Sequence, residues 1–100
     1  MVFEGKRFVT QGVMQSVPLE VQKFLWFLID KIRGEDQVIL DYLQIFELSQ
    51  EGKGQKIRHA QEIPKYQVEY IFDKIDRALV VKLYVIDSGE YCTMLLSEEY

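Results

Sequence analysis

The period of the hydrophobic pattern changes once along this chain, and that change limits the fold more than any other feature. From Pro18 to Arg33 apolar residues recur at helical spacing, whereas from Leu40 onward they recur at every second position, which is typical of strands. Five strand-like runs follow: Asp41 to Leu48, Gln55 to Ile63, Tyr66 to Phe72, Leu79 to Asp87 and Tyr91 to Ser97. One helix followed by these strands predicts a two-layer α+β arrangement.

Turn and breaker residues agree with this order of elements. Gln50 to Gly54 joins the first two runs and Asp87 to Glu90 joins the last two, and both links are short enough for antiparallel hairpins. Pro64 cannot donate a hydrogen bond to a neighbouring strand, so the chain should bend or reach a sheet edge there. A shorter strand is predicted before the helix, from Lys6 to Val13. The predicted fold is one helix packed on a mostly antiparallel sheet of five or six strands.

The helix has a start signal and a stop signal. Ser16 offers a short polar cap, and Pro18 suits the first helical turn because the missing proline N–H would have no partner there. Lys31 and Arg33 place positive charge near the negative end of the helix dipole, and Gly34 follows as the residue best able to turn left-handed. We predict a helix from Pro18 to Arg33.

The strand after Leu79 is apolar on both of its faces. Up to Ile86 only Lys82 interrupts the apolar run, whereas a strand with one solvated face alternates apolar and polar residues. The second face of the sheet therefore needs a cover. Either the sheet curls into a half-barrel, or its second face meets a partner subunit.

The helix also carries apolar residues outside its core face. At about 100° per residue one face must be core, and its members are Val21, Phe24, Leu25, Leu28 and Ile32. Trp26 falls on another side, among charged residues, and tryptophan is enriched at binding hot spots. The predicted partner-contact residues are Leu19, Lys23, Trp26 and Phe27. The alternative is that the N-terminal segment or a loop folds over Trp26 within the monomer.

The side chains that could act in catalysis, bind a metal or bind nucleic acid give only weak evidence for such a site. His59 and Cys92 are the only histidine and cysteine, and the two make neither a zinc site nor an activated nucleophile without further groups from the fold. The basic hairpin around Lys53, Lys56 and Arg58 lacks the interleaved aromatics on which bases stack. We predict no catalytic residue, no metal ligand and no cofactor, and a solvated hairpin rather than a nucleic-acid site.

Aromatic residues offer a second kind of site. Tyr66, Tyr70 and Phe72 share one face of a predicted strand, and Tyr84 and Tyr91 belong to the last hairpin. Such rows usually stabilise a sheet by cross-strand packing, but aromatic side chains also line small-ligand pockets. An aromatic-lined cleft near Tyr66, Tyr70 and Tyr84 is therefore the alternative to a protein-interaction surface.

Composition limits the class of protein. The 100 residues suffice for one domain, and 48% hydrophobic residues supply a core. The 12 basic and 16 acidic residues give a net charge of −4, which disfavours general binding to nucleic acid or anionic membranes. A lone cysteine excludes an intrachain disulfide, and no run approaches the about 20 apolar residues that cross a bilayer. We expect a cytoplasmic protein without a membrane segment.

Several separated segments together resemble a known family. They read KRFVTQGV, VPLEVQKFLWFLID, DYLQIFELS, QKIRHAQEIPKYQVEY and IDSGEYCTMLLSEEY, and they extend from Lys6 to Tyr100. The chain resembles an uncharacterised family of small proteins of about this length from Gram-positive bacteria, catalogued as a domain of unknown function. The resemblance implies a single bacterial domain, and it supplies no activity, ligand or catalytic residue.

The residues favour a non-catalytic protein-interaction module that forms a homodimer or docks on another protein. A small-ligand-binding domain with an aromatic cleft is the alternative, and nucleic-acid binding ranks below it. An enzyme comes last, because neither an activated nucleophile nor a matched acid and base is recognisable in the sequence.

Overall fold

The computed structural model describes residues 3–35, 38–73 and 77–100, and within them the chain forms six strands and two α-helices. In chain order these are β1 (Lys6–Val9), α1 (Gln11–Ser16), α2 (Leu19–Arg33), β2 (Leu43–Glu51), β3 (Gly54–Gln61), β4 (Tyr66–Phe72), β5 (Val81–Asp87) and β6 (Tyr91–Leu96). A 3-10 turn, Ser97–Glu99, follows β6. The predicted α+β class, with one long helix and a mostly antiparallel sheet, is confirmed.

The strands of the described residues form one open sheet in the order β1-β6-β5-β2-β3-β4. β1 pairs with β6 in parallel, and the other four pairings are antiparallel. β5 and β2 therefore lie at the centre of the sheet, and β1 and β4 form its two edges. The sheet does not close on itself, so its second face remains to be accounted for.

The predicted first strand is too long. β1 ends at Val9, and the chain then enters α1, whose N-cap Thr10 accepts a hydrogen bond from the Val13 N–H at 3.3 Å. A strand as far as Val13 is wrong because the threonine hydroxyl stabilises the first turn of a helix instead. α1 places Val13 in the core.

α2 confirms the predicted long helix to within one residue. Pro18 occupies its N-cap, whereas Ser16, the predicted cap, ends α1 instead. Gly34 follows the last turn with its N–H directed to the Asp30 carbonyl at 3.2 Å. Its φ of −81° is right-handed, so the predicted left-handed turn is wrong. No helix in the described part of the chain combines the length and the apolar character that a membrane crossing needs.

α2 covers one face of the sheet and builds the core there. Its buried residues are Gln22, Leu25, Leu28, Ile29 and Ile32. The opposing strands contribute Phe46, Leu48, Ile57, Leu83, Val85, Cys92, Met94 and Leu96. Val21 and Phe24, predicted as core, are only half-buried. Phe24 turns instead toward the β4 edge, where its ring packs edge-on against Tyr70 and Phe72 at centroid distances of 5.9 and 5.4 Å.

Gly54 allows β3 and β4 to approach each other. A Cβ at this position would lie 2.0 Å from the main-chain oxygen of Phe72, which only a backbone movement relieves. We expect Gly54→Ala to lower the free energy of unfolding by about 2 to 3 kcal/mol in urea denaturation. Gly34→Ala is the control: its new Cβ would meet neighbours at 3.7 Å, and a change under about 0.5 kcal/mol is expected. Equal effects of the two substitutions would contradict the close approach.

Candidate interaction surface

The face of the sheet opposite α2 carries no α-helix among the described residues. On β5, Leu83 and Val85 are fully buried beneath α2, so Tyr84 and Ile86 between and beyond them point to the other face. The strand register extends this face to neighbouring strands. Its large apolar side chains, here named the open-face patch, are Phe8, Leu43, Ile45, Tyr84, Ile86, Tyr91 and Leu95.

Much of the open-face patch remains accessible to solvent. Phe8 is 51% exposed and Tyr91 46%, and their rings meet edge-on with centroids 5.9 Å apart. Tyr84 and Ile86 are half-buried. Tyr100, at the end of the chain, packs edge-on against Tyr84 at 5.2 Å and is itself 70% exposed. Contiguous exposed apolar groups of this kind usually mark an interaction site.

A row of alternating charge crosses the same face beside the patch. In the strand order β5, β2, β3, β4 its members are Lys82, Glu47, Arg58 and Glu69. Arg58 forms an ion pair with Glu47, and Lys56 lies 3.2 Å from Glu69. Lys82 has no ion-pair partner within the described residues, and its ammonium group lies 5.6 Å from the centre of the Tyr84 ring. Two cations of the predicted basic hairpin, Arg58 and Lys56, are thus paired with carboxylates.

The four residues predicted as partner contacts lie on α2, across the sheet from the open-face patch. Leu19 is 60% exposed and Phe27 57%, and Lys23 is also exposed. Phe27 stacks on Phe24 with ring centroids 6.2 Å apart. Trp26 turns the other way, toward β1. Trp26 and Phe27 therefore lie along opposite edges of the helix. The role of the four residues as partner contacts stays a prediction.

Trp26 is half-buried, which corrects the sequence interpretation of this side chain as outward-facing. The guanidinium carbon of Arg7 lies 4.8 Å from the centre of the indole ring. The same guanidinium binds the Asp30 carboxylate through both of its terminal nitrogens. The N-terminal strand therefore covers the tryptophan, as the alternative interpretation allows.

Removing the Arg7 guanidinium should expose Trp26. We expect Arg7→Ala to shift tryptophan emission to longer wavelength and to lower the free energy of unfolding by about 1 kcal/mol, because a cation–π contact and a bidentate ion pair are lost together. Trp26 is the only tryptophan, so fluorescence reports this site alone. An unchanged emission spectrum would show that Arg7 does not cover the ring.

His59 is a polar member of the core. Its ring is fully buried and stacks on Phe46 at a centroid distance of 4.4 Å. The Gln44 amide nitrogen donates to Gln61 Oε1 at 2.8 Å and to the Asp41 carbonyl at 2.9 Å. The Gln44 oxygen must then be an acceptor, and His59 Nε2, 2.7 Å away, must be the donor. Burial lowers the pKa of His59 to about 4, so the ring is neutral at pH 7.

The structure does not bring the histidine and the cysteine together. Cys92 lies on β6 and His59 on β3, with β5 and β2 between them, a separation of about 14 Å at ordinary strand spacing. Burial raises the pKa of the Cys92 thiol, and the neighbouring Asp87 carboxylate raises it further. Within the described ranges no cluster of three or more His, Cys, Asp or Glu side chains is arranged to hold a metal ion.

The three tyrosines predicted to line a cleft lie on opposite faces of the sheet. Tyr66 and Tyr70 are on the α2 side of β4, whereas Tyr84 belongs to the open-face patch. A cleft built from all three is therefore wrong. A cavity of about 480 Å³ lies elsewhere, between the first turns of α2 and the start of β3, and is lined by Pro18, Val21, Phe24, Ile57, Phe72 and Leu79 among others.

Comparison with known proteins finds a family model and a solved structure that match almost the whole length of this chain. A family model described as "Staphylococcal protein of unknown function (DUF960)" matches residues 6–99. The crystal structure of a protein of unknown function from Enterococcus faecalis is similar, with a TM-score of 0.84 and 22% sequence identity over 98% of this chain and 92% of that chain. That likeness establishes a shared fold. No curated protein matches the sequence.

Proposed function

The chain belongs to this family of staphylococcal proteins of unknown function, and we propose that it is a non-catalytic protein-interaction module that self-associates through the open-face patch. The observation that carries the proposal is the position of the patch: apolar side chains occupy the middle of a sheet face that no α-helix of the described residues covers. A cytoplasmic location is part of the proposal, supported by the free, buried thiol of Cys92.

The size of the open face fits an interface between two copies. Strands about 4.8 Å apart and about 24 Å long give a six-stranded sheet a flat area of roughly 600 Å². Specific protein–protein interfaces begin at about 600 Å² per partner. Two sheets also pack well face to face, as they do in sandwich proteins, at a separation of about 10 Å.

The distribution of charge favours a second copy as the occupant. A two-fold axis that runs parallel to the strands between β5 and β2 would bring the patch residues of these two strands onto the same strands of the other copy. The patch residues of β1 and β6 would then lie over β4 and β3 of the other copy. The same axis would set Lys82 of each copy opposite Glu47 of the other, because these residues face each other across the two central strands. Lys82 would thereby gain a carboxylate partner, and a two-fold interface must be self-complementary in this way.

The non-catalytic part of the proposal rests on the chemistry of the titratable groups. His59 Nε2 donates a hydrogen bond to the Gln44 oxygen inside the core. The raised pKa of the Cys92 thiol lowers the reactivity of this group as a nucleophile. Neither group is exposed to a substrate in solution.

An NMR dilution series tests the proposed surface directly. If two copies pack through the open face, amide shifts of β5, β2 and β6 should change with protein concentration, while those on the exposed side of α2 stay constant. Concentration-dependent shifts confined to α2 would move the interface to the helix and contradict the proposal.

A further inference from the structure

A second surface, separate from the open-face patch, runs along the β4 edge of the sheet. It is a groove of about 510 Å³ between α2 and β4. The helix lines it with residues one turn apart: Phe24, Phe27, Leu28 and Lys31. The strand lines it with Glu69, Tyr70, Ile71 and Phe72. The groove is strongly apolar, and Phe27 and Ile71 are 57% and 55% exposed.

The strand residues that line this groove are consecutive in the sequence, and this spacing indicates that the groove runs along the outer edge of β4. Successive side chains of a strand point to opposite faces of the sheet, so a groove on one face would contact only alternate residues. All four residues from 69 to 72 line this groove, as expected of a groove that reaches main-chain atoms along the edge of the strand. β4 is the last strand of the sheet within the described residues, and the main-chain N–H and C=O groups along its outer edge are therefore open to a partner.

We propose that this groove binds an extended segment of another protein, which adds to β4 as a further strand. An added strand pairs its own main-chain groups with those of β4, while every second side chain enters the groove against Phe27, Tyr70 and Phe72. The edge is seven residues long, enough for several main-chain hydrogen bonds. This inference does not rest on self-association, since it concerns another surface.

The charges at the groove define the partner more closely. The Lys31 ammonium group lies 5.7 Å from the centre of the Tyr70 ring and has no ion-pair partner among the residues described. An acidic residue of the bound segment would supply one. A second copy of β4 fits less well: full antiparallel overlap of two Tyr66–Phe72 strands sets Glu69 opposite Glu69, and like charges directly opposite are unfavourable.

The test uses capped synthetic heptapeptides as probes. Each alternates isoleucine or valine with threonine, and the set places one aspartate at every position in turn. They are titrated into the Ile86→Glu variant, so that self-association through the open face does not interfere, and amide shifts are followed by NMR. We expect the best peptide to perturb β4 amides and the exposed face of α2 near Phe27, with a preference for the peptides whose aspartate reaches Lys31.

N-methylation of the peptide distinguishes strand addition from apolar adhesion. Only alternate peptide N–H groups pair with β4. Methylation of an N–H group that faces β4 should therefore weaken binding at least about tenfold, whereas methylation of an N–H group that faces away should change it less than about twofold. Equal losses from both kinds of methylation would overturn the proposal. So would shifts confined to another surface, or no binding by any peptide of the set at millimolar concentration.

Substitutions in the groove supply the second readout. Phe27→Ala should raise the dissociation constant of the best peptide at least about fivefold, whereas Met14→Ala, an apolar residue 68% exposed on α1, should leave it unchanged. Lys31→Ala should abolish the preference for aspartate. Growing exchange protection of β4 amides with protein concentration, in the absence of peptide, would instead indicate pairing of two copies and overturn the assignment to another protein.

Discussion

Ile86→Glu is expected to convert the self-associated protein to monomer, with a rise of at least about 30-fold in the dissociation constant. Ile86 occupies β5 on the open face, directly opposite Leu43 of β2, at the centre of the proposed interface. A glutamate there would be buried against apolar groups without a partner, at a cost of about 2 kcal/mol or more. A two-fold interface buries the substitution twice. Sedimentation velocity over a range of concentrations measures the change.

Matched glutamate substitutions decide which surface is responsible. Leu19→Glu tests the helix surface predicted from the sequence, and Met14→Glu tests α1; both residues are at least 60% exposed. We expect both variants to associate like the unchanged protein. Phe8→Glu, at a 51% exposed position of the patch, should weaken association with less risk to the fold. Dissociation by Leu19→Glu but not by Ile86→Glu or Phe8→Glu would place the interface on α2.

Acid is expected to remove about 3 kcal/mol of stability through His59 alone. The folded protein holds the pKa of this ring at about 4, against 6.5 for an ordinary histidine, and each pKa unit corresponds to about 1.4 kcal/mol. Above pH 6.5 the ring is neutral in both states and has no effect. Between pH 6.5 and 4 His59 binds a proton in the unfolded chain but not in the folded protein, so the free energy of unfolding falls as the pH falls. Below about pH 4 the loss levels off.

The variant His59→Gln isolates this contribution. It keeps an N–H donor for Gln44 but does not titrate, so the carboxylates, which titrate in both proteins, cancel when the two are compared. It should be less stable than the unchanged protein at pH 7.5, because the ring packed on Phe46 is lost. Urea unfolding at several values between pH 7.5 and 4 should show this difference shrinking toward lower pH. A constant difference would show that His59 is not held neutral by the core.

The main elements could be predicted because their local and overall signals agree. α2 combines helical periodicity with Pro18 at one end and Gly34 at the other, and the five strands after it have polar or glycine-bearing links. α1 was missed because its only strong signal is the Thr10 cap, next to a strand-like run. The parallel pairing of β1 with β6 joins opposite ends of the chain, and no local pattern encodes such a contact.

The candidate surfaces could be predicted only in part. An uncovered second face follows from the doubly apolar strand around Tyr84, and the structure places an apolar patch there. The partly covered position of Trp26 depends on Arg7, a residue 19 positions earlier, and is invisible to helical periodicity. The β4 groove could not be predicted either, because no local sequence pattern indicates the strand order that places β4 at an edge of the sheet.

The central claim is that two copies associate through the open face, and solution mass measures it most directly. Light scattering after size exclusion, over about 1 µM to 1 mM protein, should give a mass that rises from that of one 11.9 kDa chain toward that of two, and Ile86→Glu should remain at the lower value throughout. A mass of one chain at every concentration would contradict the account. So would a dimer that Ile86→Glu and Phe8→Glu both leave intact.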